Sequence, residues 1–165
     1  MYRAILTQRF ATNLDYARRL VDGLTEAQAD EAPAPGMNTP RWIVGHLAQT
    51  ADMVTLGLIW QQPRSIEPWD AWFNGGTTPT PRAGDQPTLA QTMQRLEQLH
   101  QTISGLVETS SPDFYERSVP DTAPEGFRQR FSTVGTALAH TMLLHEMQHL
   151  GQLSAWRRVQ GLPAV

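Results

Sequence analysis

The segment His140-Thr-Met-Leu-Leu-His145-Glu146-Met-Gln-His149-Leu-Gly-Gln152 holds the residues best suited to chemistry in this chain. Residues four apart on an α-helix are rotated by only about 40°, so His145 and His149 project from one face, one turn apart. Two imidazoles so placed can grip one metal ion. His140 lies five residues before His145, about 140° around the same helical wheel, and falls outside the site on that geometry. The face that carries the pair also carries Leu138, Met142 and Trp156, so it points inward, where histidines without partners are costly. A third imidazole comes from His46, on the inner side of another helix in Asn38-Thr-Pro-Arg-Trp42-Ile-Val-Gly45-His46-Leu. There Gly45 would let a neighbouring backbone approach, and Trp42, four residues earlier, could wall one side. The chain has no cysteine, so thiolate ligands and disulfides are excluded and a metal site must use imidazole and carboxylate. Three neutral nitrogens on one side of an ion leave positions open, the layout of a catalytic rather than a structural site. Such a site could activate a water for hydrolysis or hold a thiol ready as a nucleophile.

His145 to His149 also spells HExxH, the helix motif of zinc metallopeptidases. The remainder of the chain argues against a peptidase. No Asp or Glu follows Glu146, and Gln152 and Ala155 stand where the extended metzincin pattern needs Gly and His. Glu146 is about 100° from His145, so it could reach a group on the metal or merely orient a ligand. Gln49, Gln148 and Gln152 are candidate hydrogen-bond partners for metal ligands. His100 is expected at the rim, and Trp69, Trp72 and Phe73 are expected to bury the loop that bears them.

Four helical segments must position these groups. Tyr2, Leu6, Phe10, Leu14, Ala17, Val21 and Leu24 draw one apolar stripe at three- and four-residue steps, with one short turn predicted around Thr25 to Ala29. The second helix starts at Thr39 as cap, with Pro40 in the first position, and runs to about Trp60. The third opens with Thr88 and Gln91, a capping-box pattern. The last is capped by Ser132 or Thr133 and closes at Gly161. Residues 61–87 form a long connection rich in Pro, Gly and Thr. A second, from Thr109 to Arg130, is expected to include a short extended pair, with Phe127 and Phe131 packed. These segments predict an all-α, antiparallel four-helix bundle, a single domain over 1–165, with long connections after helices 2 and 3.

The formal charge of −3, with scattered arginines as the basic residues, leaves no electrostatic footprint for nucleic acid. The most apolar stretch, Met53 to Trp60, is far shorter than the roughly 20 residues that span a bilayer. The N-terminus carries charge throughout, unlike a signal peptide. The expectation is a soluble, cytoplasmic protein that acts on a small molecule.

Two runs, TPRWIVGHLAQTADM and HTMLLHEMQHLGQLSAWRRVQGLP, resemble the DinB/YfiT-like metalloenzyme superfamily. The likeness is strongest at Trp42-x-x-Gly45-His46 and at the HExxHxGQ run from His145 to Gln152. The resemblance implies a four-helix bundle, often a homodimer, in which His46, His145 and His149 hold zinc or nickel, or else iron or manganese. It also implies thiol-dependent chemistry, because members with known activity include S-transferases and isomerases using bacillithiol, mycothiol or glutathione. The expectation is therefore a divalent-metal-dependent S-transferase joining a low-molecular-weight thiol to a small electrophile. Glu146 is its candidate catalytic group, and Trp42 and Gln152 its candidate substrate contacts. The alternatives are a metal-dependent hydrolase of a small molecule and a non-catalytic, metal-stabilised binding protein.

Overall fold

Thr39 and Pro40 start the helix that bears His46: the Thr39 hydroxyl accepts from the Trp42 N–H, and Pro40 occupies a first-turn position where a missing donor costs nothing. In the computed structural model, which describes residues 2–165, all regular structure is helical. Four long segments make the bundle: α1 (Tyr2–Val21); α3 (Pro40–Thr50), continued by a π-helical stretch, π1 (Ala51–Ile59); α5 (Leu89–Thr109); and α8 (Val134–Ala139), which runs through π2 (His140–His145) into α9 (Glu146–Val159). Short helices α2 (Glu26–Ala29), α4 (Asp70–Phe73), α6 (Pro112–Glu116) and α7 (Glu125–Arg130) sit in the connections. Thr88 and Gln91 cap α5 reciprocally. Thr133, rather than Ser132, caps α8. Gly161 takes a φ of +69° just past α9, a conformation that glycine adopts without strain.

Leu6 and Phe10 of α1, Ile43 of α3, Ile103 of α5, and Leu153 and Trp156 of α9 are fully buried against one another. Each such side chain contributes about 1.5–3 kcal/mol of burial, so the core fixes the helices on which the histidines ride. The chain departs from expectation in two places. Residues 109–130 contain no extended pair; α6 and α7 take their place, with Phe131 buried and Phe127 packed partly against the core. The second and fourth bundle helices, predicted as unbroken α-helices, each contain a π stretch, in which i→i+5 bonding absorbs one extra residue per turn.

The two π stretches pack on each other, with the Thr55 and Thr141 hydroxyls 3.5 Å apart. Support for π2 comes from another helix. The buried Asn13 amide of α1 donates to the carbonyls of Met142, at 3.1 Å, and Leu143, at 3.3 Å.

Candidate metal centre

His46, His145 and His149 come together. Each offers a ring nitrogen, and the three nitrogens lie within 4.8 Å of one another. Ring centroids are 5.0 Å apart for His46–His145, 4.7 Å for His46–His149 and 4.6 Å for His145–His149. The second nitrogen of two of these rings is already spoken for. His46 Nδ1–H donates to the Phe73 carbonyl at 2.7 Å, and His149 Nδ1–H to Gln152 Oε1 at 3.3 Å. Those bonds leave each Nε2 with a free lone pair aimed at the common point. His46 Nε2 stands 3.1 Å from His145 Nε2. Two metal–nitrogen bonds of about 2.0–2.1 Å at tetrahedral or facial angles set their nitrogens about 3 Å apart, so the donors fit a divalent ion.

Burial holds the imidazoles free of protons. It pushes the His145 pKa down to about 3, helped by repulsion from His149 and His46, and the His149 pKa down to about 4, helped by His46. His46 is lowered by the same burial, which the Phe73 hydrogen bond only partly offsets. All three are neutral at pH 7, the state a metal ligand needs.

The loop from 61 to 87 earns its length here. Arg64 bridges Asp52 of π1, at 3.1 Å, and Asp70 of α4, at 2.6 Å, while Gln49 of α3 donates to Asp70 at 2.8 Å. These contacts tie α4 onto the helix that carries His46 and set the Phe73 carbonyl over Nδ1. Phe73 is buried, with Trp69 and Trp72 edge-on to it. Gly45 makes the approach possible, although what comes close is the Phe73 ring rather than backbone. A Cβ at 45 would lie 2.6 Å from that ring. Trp42 stacks on His46 at 4.7 Å and 10°, and its indole N–H donates to Thr77 at 2.8 Å. Gln152 accepts from Asn38 as well as from His149, so it braces the His149 ring.

Glu146 turns elsewhere. It is buried, with Oε1 2.9 Å from His100 Nε2 and Oε2 accepting from Asn13 at 3.1 Å. Burial raises its pKa, against the opposing pull of His100 and Asn13. His100, expected at the rim, is instead buried and stacked on Phe10 at 3.5 Å, because the carboxylate gives it a partner inside the core. Gln49 is fully buried on Asp70 rather than on a histidine, and Gln148 is exposed.

His140 also departs from the wheel. A π turn, with its i→i+5 bonding, brings residues five apart closer to one face than an α-helix does. Its ring accordingly lies 6.2 Å from that of His145 and 5.0 Å from Phe131. It borders the cluster without joining the three convergent nitrogens. No sequence signal marked the Phe73 carbonyl or the Asn13 contacts, since a backbone acceptor and a cross-helix amide leave no local pattern. The π turn itself would have been suggested only by asking which helical form aligns His140 with His145.

Comparison with known proteins places this chain in a family. The model of the DinB superfamily matches residues 9–153, and the chain belongs to that superfamily. Among solved structures it is similar to YfiT from Bacillus subtilis, described as "a probable metal-dependent hydrolase with an unusual four-helix bundle topology". The two share 18% identity at a TM-score of 0.67, with 98% of this chain and 89% of YfiT covered, a likeness of fold. Among curated protein sequences, none matches the chain.

Proposed function

We propose that this DinB-superfamily protein is a divalent-metal-dependent hydrolase of a small molecule, with His46, His145 and His149 as its metal ligands. The observation that carries the reading is the convergence of three neutral imidazole nitrogens within 4.8 Å, with the His145 side less enclosed than the buried His46 and His149. His46, His145 and His149 would hold such an ion, which would supply Lewis-acid chemistry toward a water, a thiol or a carbonyl. Around it the chain has a defined division of labour. Phe73 and Gln152 fix the tautomers of His46 and His149, and Trp42 shields the inner side from water. Zinc or nickel suits an all-imidazole donor set. The description of YfiT as a hydrolase supports the same reaction class.

Thiol transfer is the second reading, and one observation favours it. Glu146 is engaged by His100 and Asn13, and the metal-ligating cluster is made of histidines alone, so no carboxylate within it takes a proton from water. A thiol ionises near pH 8.5 unaided and needs no such base. A homodimer, as the family resemblance implies, located in the cytoplasm, as the charged N-terminal segment suggests, completes the proposal.

The test uses protein purified without a histidine tag, analysed for metal and offered small esters, amides and phosphate esters with and without a low-molecular-weight thiol. Turnover without thiol that chelator and His145→Ala both abolish is the expected result. Turnover that requires thiol moves the assignment to transfer. Metal bound with no turnover in either arm, and a melting temperature that falls on chelation, would replace both readings with a metal-stabilised binding protein. Glu146→Gln refines the outcome: a carboxylate facing away from the metal predicts retained turnover in folded protein, whereas a general base predicts its loss.

A further inference from the structure

A cavity of about 840 Å³ beside π1 takes no part in holding the metal ligands. Met53, Val54 and Leu58 line it together with Pro63, Pro124 and Phe127. Its volume falls within the range of small-molecule sites, about 300–1,000 Å³. Its lining is mostly apolar, and the one guanidinium at its edge, Arg64, is already committed to Asp52 and Asp70. The cavity therefore selects for hydrocarbon rather than for an anion.

Its position relative to the histidines follows from helix register. The second and fourth bundle helices run antiparallel: His46 meets His145 at 3.1 Å and, further along, Thr55 meets Thr141 at 3.5 Å. Met53 and Val54, just before Thr55, thus stand level with Met142 and Leu143, just after Thr141 and between His140 and His145 in the chain, about 10 Å along the helix from His46. A row of rings continues the path. Phe127, in the cavity wall, lies 4.7 Å from Phe131, which lies 5.0 Å from His140, itself 6.2 Å from His145. His145 is the one histidine of the three that is not fully buried, so the row ends at the more exposed imidazole of the cluster.

We propose that this cavity binds the apolar body of the substrate. The substrate class is a molecule with a polar reacting group at the His145 side and an acyl-type chain that passes Phe131 and His140 to lie against Met53, Val54, Leu58 and Phe127. The proposal rests on the metal-centre reading and adds a chain-length requirement to it.

Straight-chain alkyl hydroxamates test both levels separately, because the head binds metal and the tail reports the cavity. Titration calorimetry of the zinc-loaded protein should give one affinity for acetohydroxamate and little gain until the tail reaches about eight carbons, the length needed to span roughly 10 Å along the helix. Beyond that, affinity should rise about three- to fourfold per added methylene, as for burial of a CH₂ group. Leu58→Glu should flatten the rise, with acetohydroxamate affinity in the same variant reporting an intact metal centre. An affinity independent of chain length, or an undiminished rise in Leu58→Glu, overturns the cavity assignment. Acetohydroxamate binding no tighter to zinc-loaded than to metal-free protein overturns the metal centre, and the inference with it.

Discussion

Replacing Gly45 with alanine would place a methyl carbon 2.6 Å from three atoms' worth of the Phe73 ring edge, at Cδ1, Cε1 and, marginally further, Cγ. Carbon atoms pack comfortably at about 3.5–4.0 Å, so the ring would have to retreat by about 1 Å. The ring cannot retreat alone, because its backbone carbonyl is the acceptor for His46 Nδ1 at 2.7 Å. A comparable shift of the carbonyl stretches that bond past about 3.5 Å, where it ceases to orient the imidazole. Two consequences follow. Overpacking should lower stability by about 1–3 kcal/mol. Loss of the orienting acceptor should weaken metal binding by about 10- to 100-fold. Competition with a chromophoric chelator for zinc measures the second effect and urea unfolding the first. Gly151→Ala is the internal control. It sits exposed in α9, two residues from His149, with no atom within 4 Å of an added Cβ. It should gain about 0.5–1 kcal/mol from better helix propensity and leave the affinity unchanged. A Gly45→Ala protein that binds zinc within about twofold of the parent would refute the coupling of loop, carbonyl and ligand.

The metal-free protein should lose stability on acidification. The folded pKa values of His145, about 3, and His149, about 4, lie below the unfolded value near 6.5, so the unfolded chain binds more protons in between. This stability is complete above about pH 6.5 and falls by about 1.4 kcal/mol per pH unit for each group as pH drops. Urea midpoints in chelator at pH 7 and pH 5 check it, and an equal or higher midpoint at pH 5 would contradict it. Asn13→Ala should cost about 1–3 kcal/mol, because it strips a donor from the Met142 and Leu143 carbonyls of π2 and from the buried Glu146. Amide exchange of residues 140–146 should accelerate more than that of α5, and uniform acceleration would argue against a local role.

Much of this protein could be read from neighbours along the chain. Helix starts at Thr39 and Thr88 depend on a side chain and an N–H two or three residues away, and apolar stripes on a repeat near four, so both are legible without a fold. The pairing of His145 with His149 is of the same kind, because four residues of α-helix fix their relative direction. The inner side of the second helix offered His46 as the third imidazole, and the family likeness at Trp42–His46 and His145–Gln152 implied the same residue, but its meeting with the pair needed the bundle to form. What tertiary structure alone decided lies where one element answers to another. The π turn that swings His140 toward His145 persists beside an amide from α1. The rotation of Glu146 is local, yet whether that rotation faces a metal or His100 depends on which helix packs there. The acceptor on His46 is a backbone carbonyl 27 residues away, and every residue type has one. Hydrogen-bond periodicity and capping are short-range and leave their mark in spacing. Cross-element acceptors and register shifts are settled by the packing of the whole core, and for these the spacing is silent.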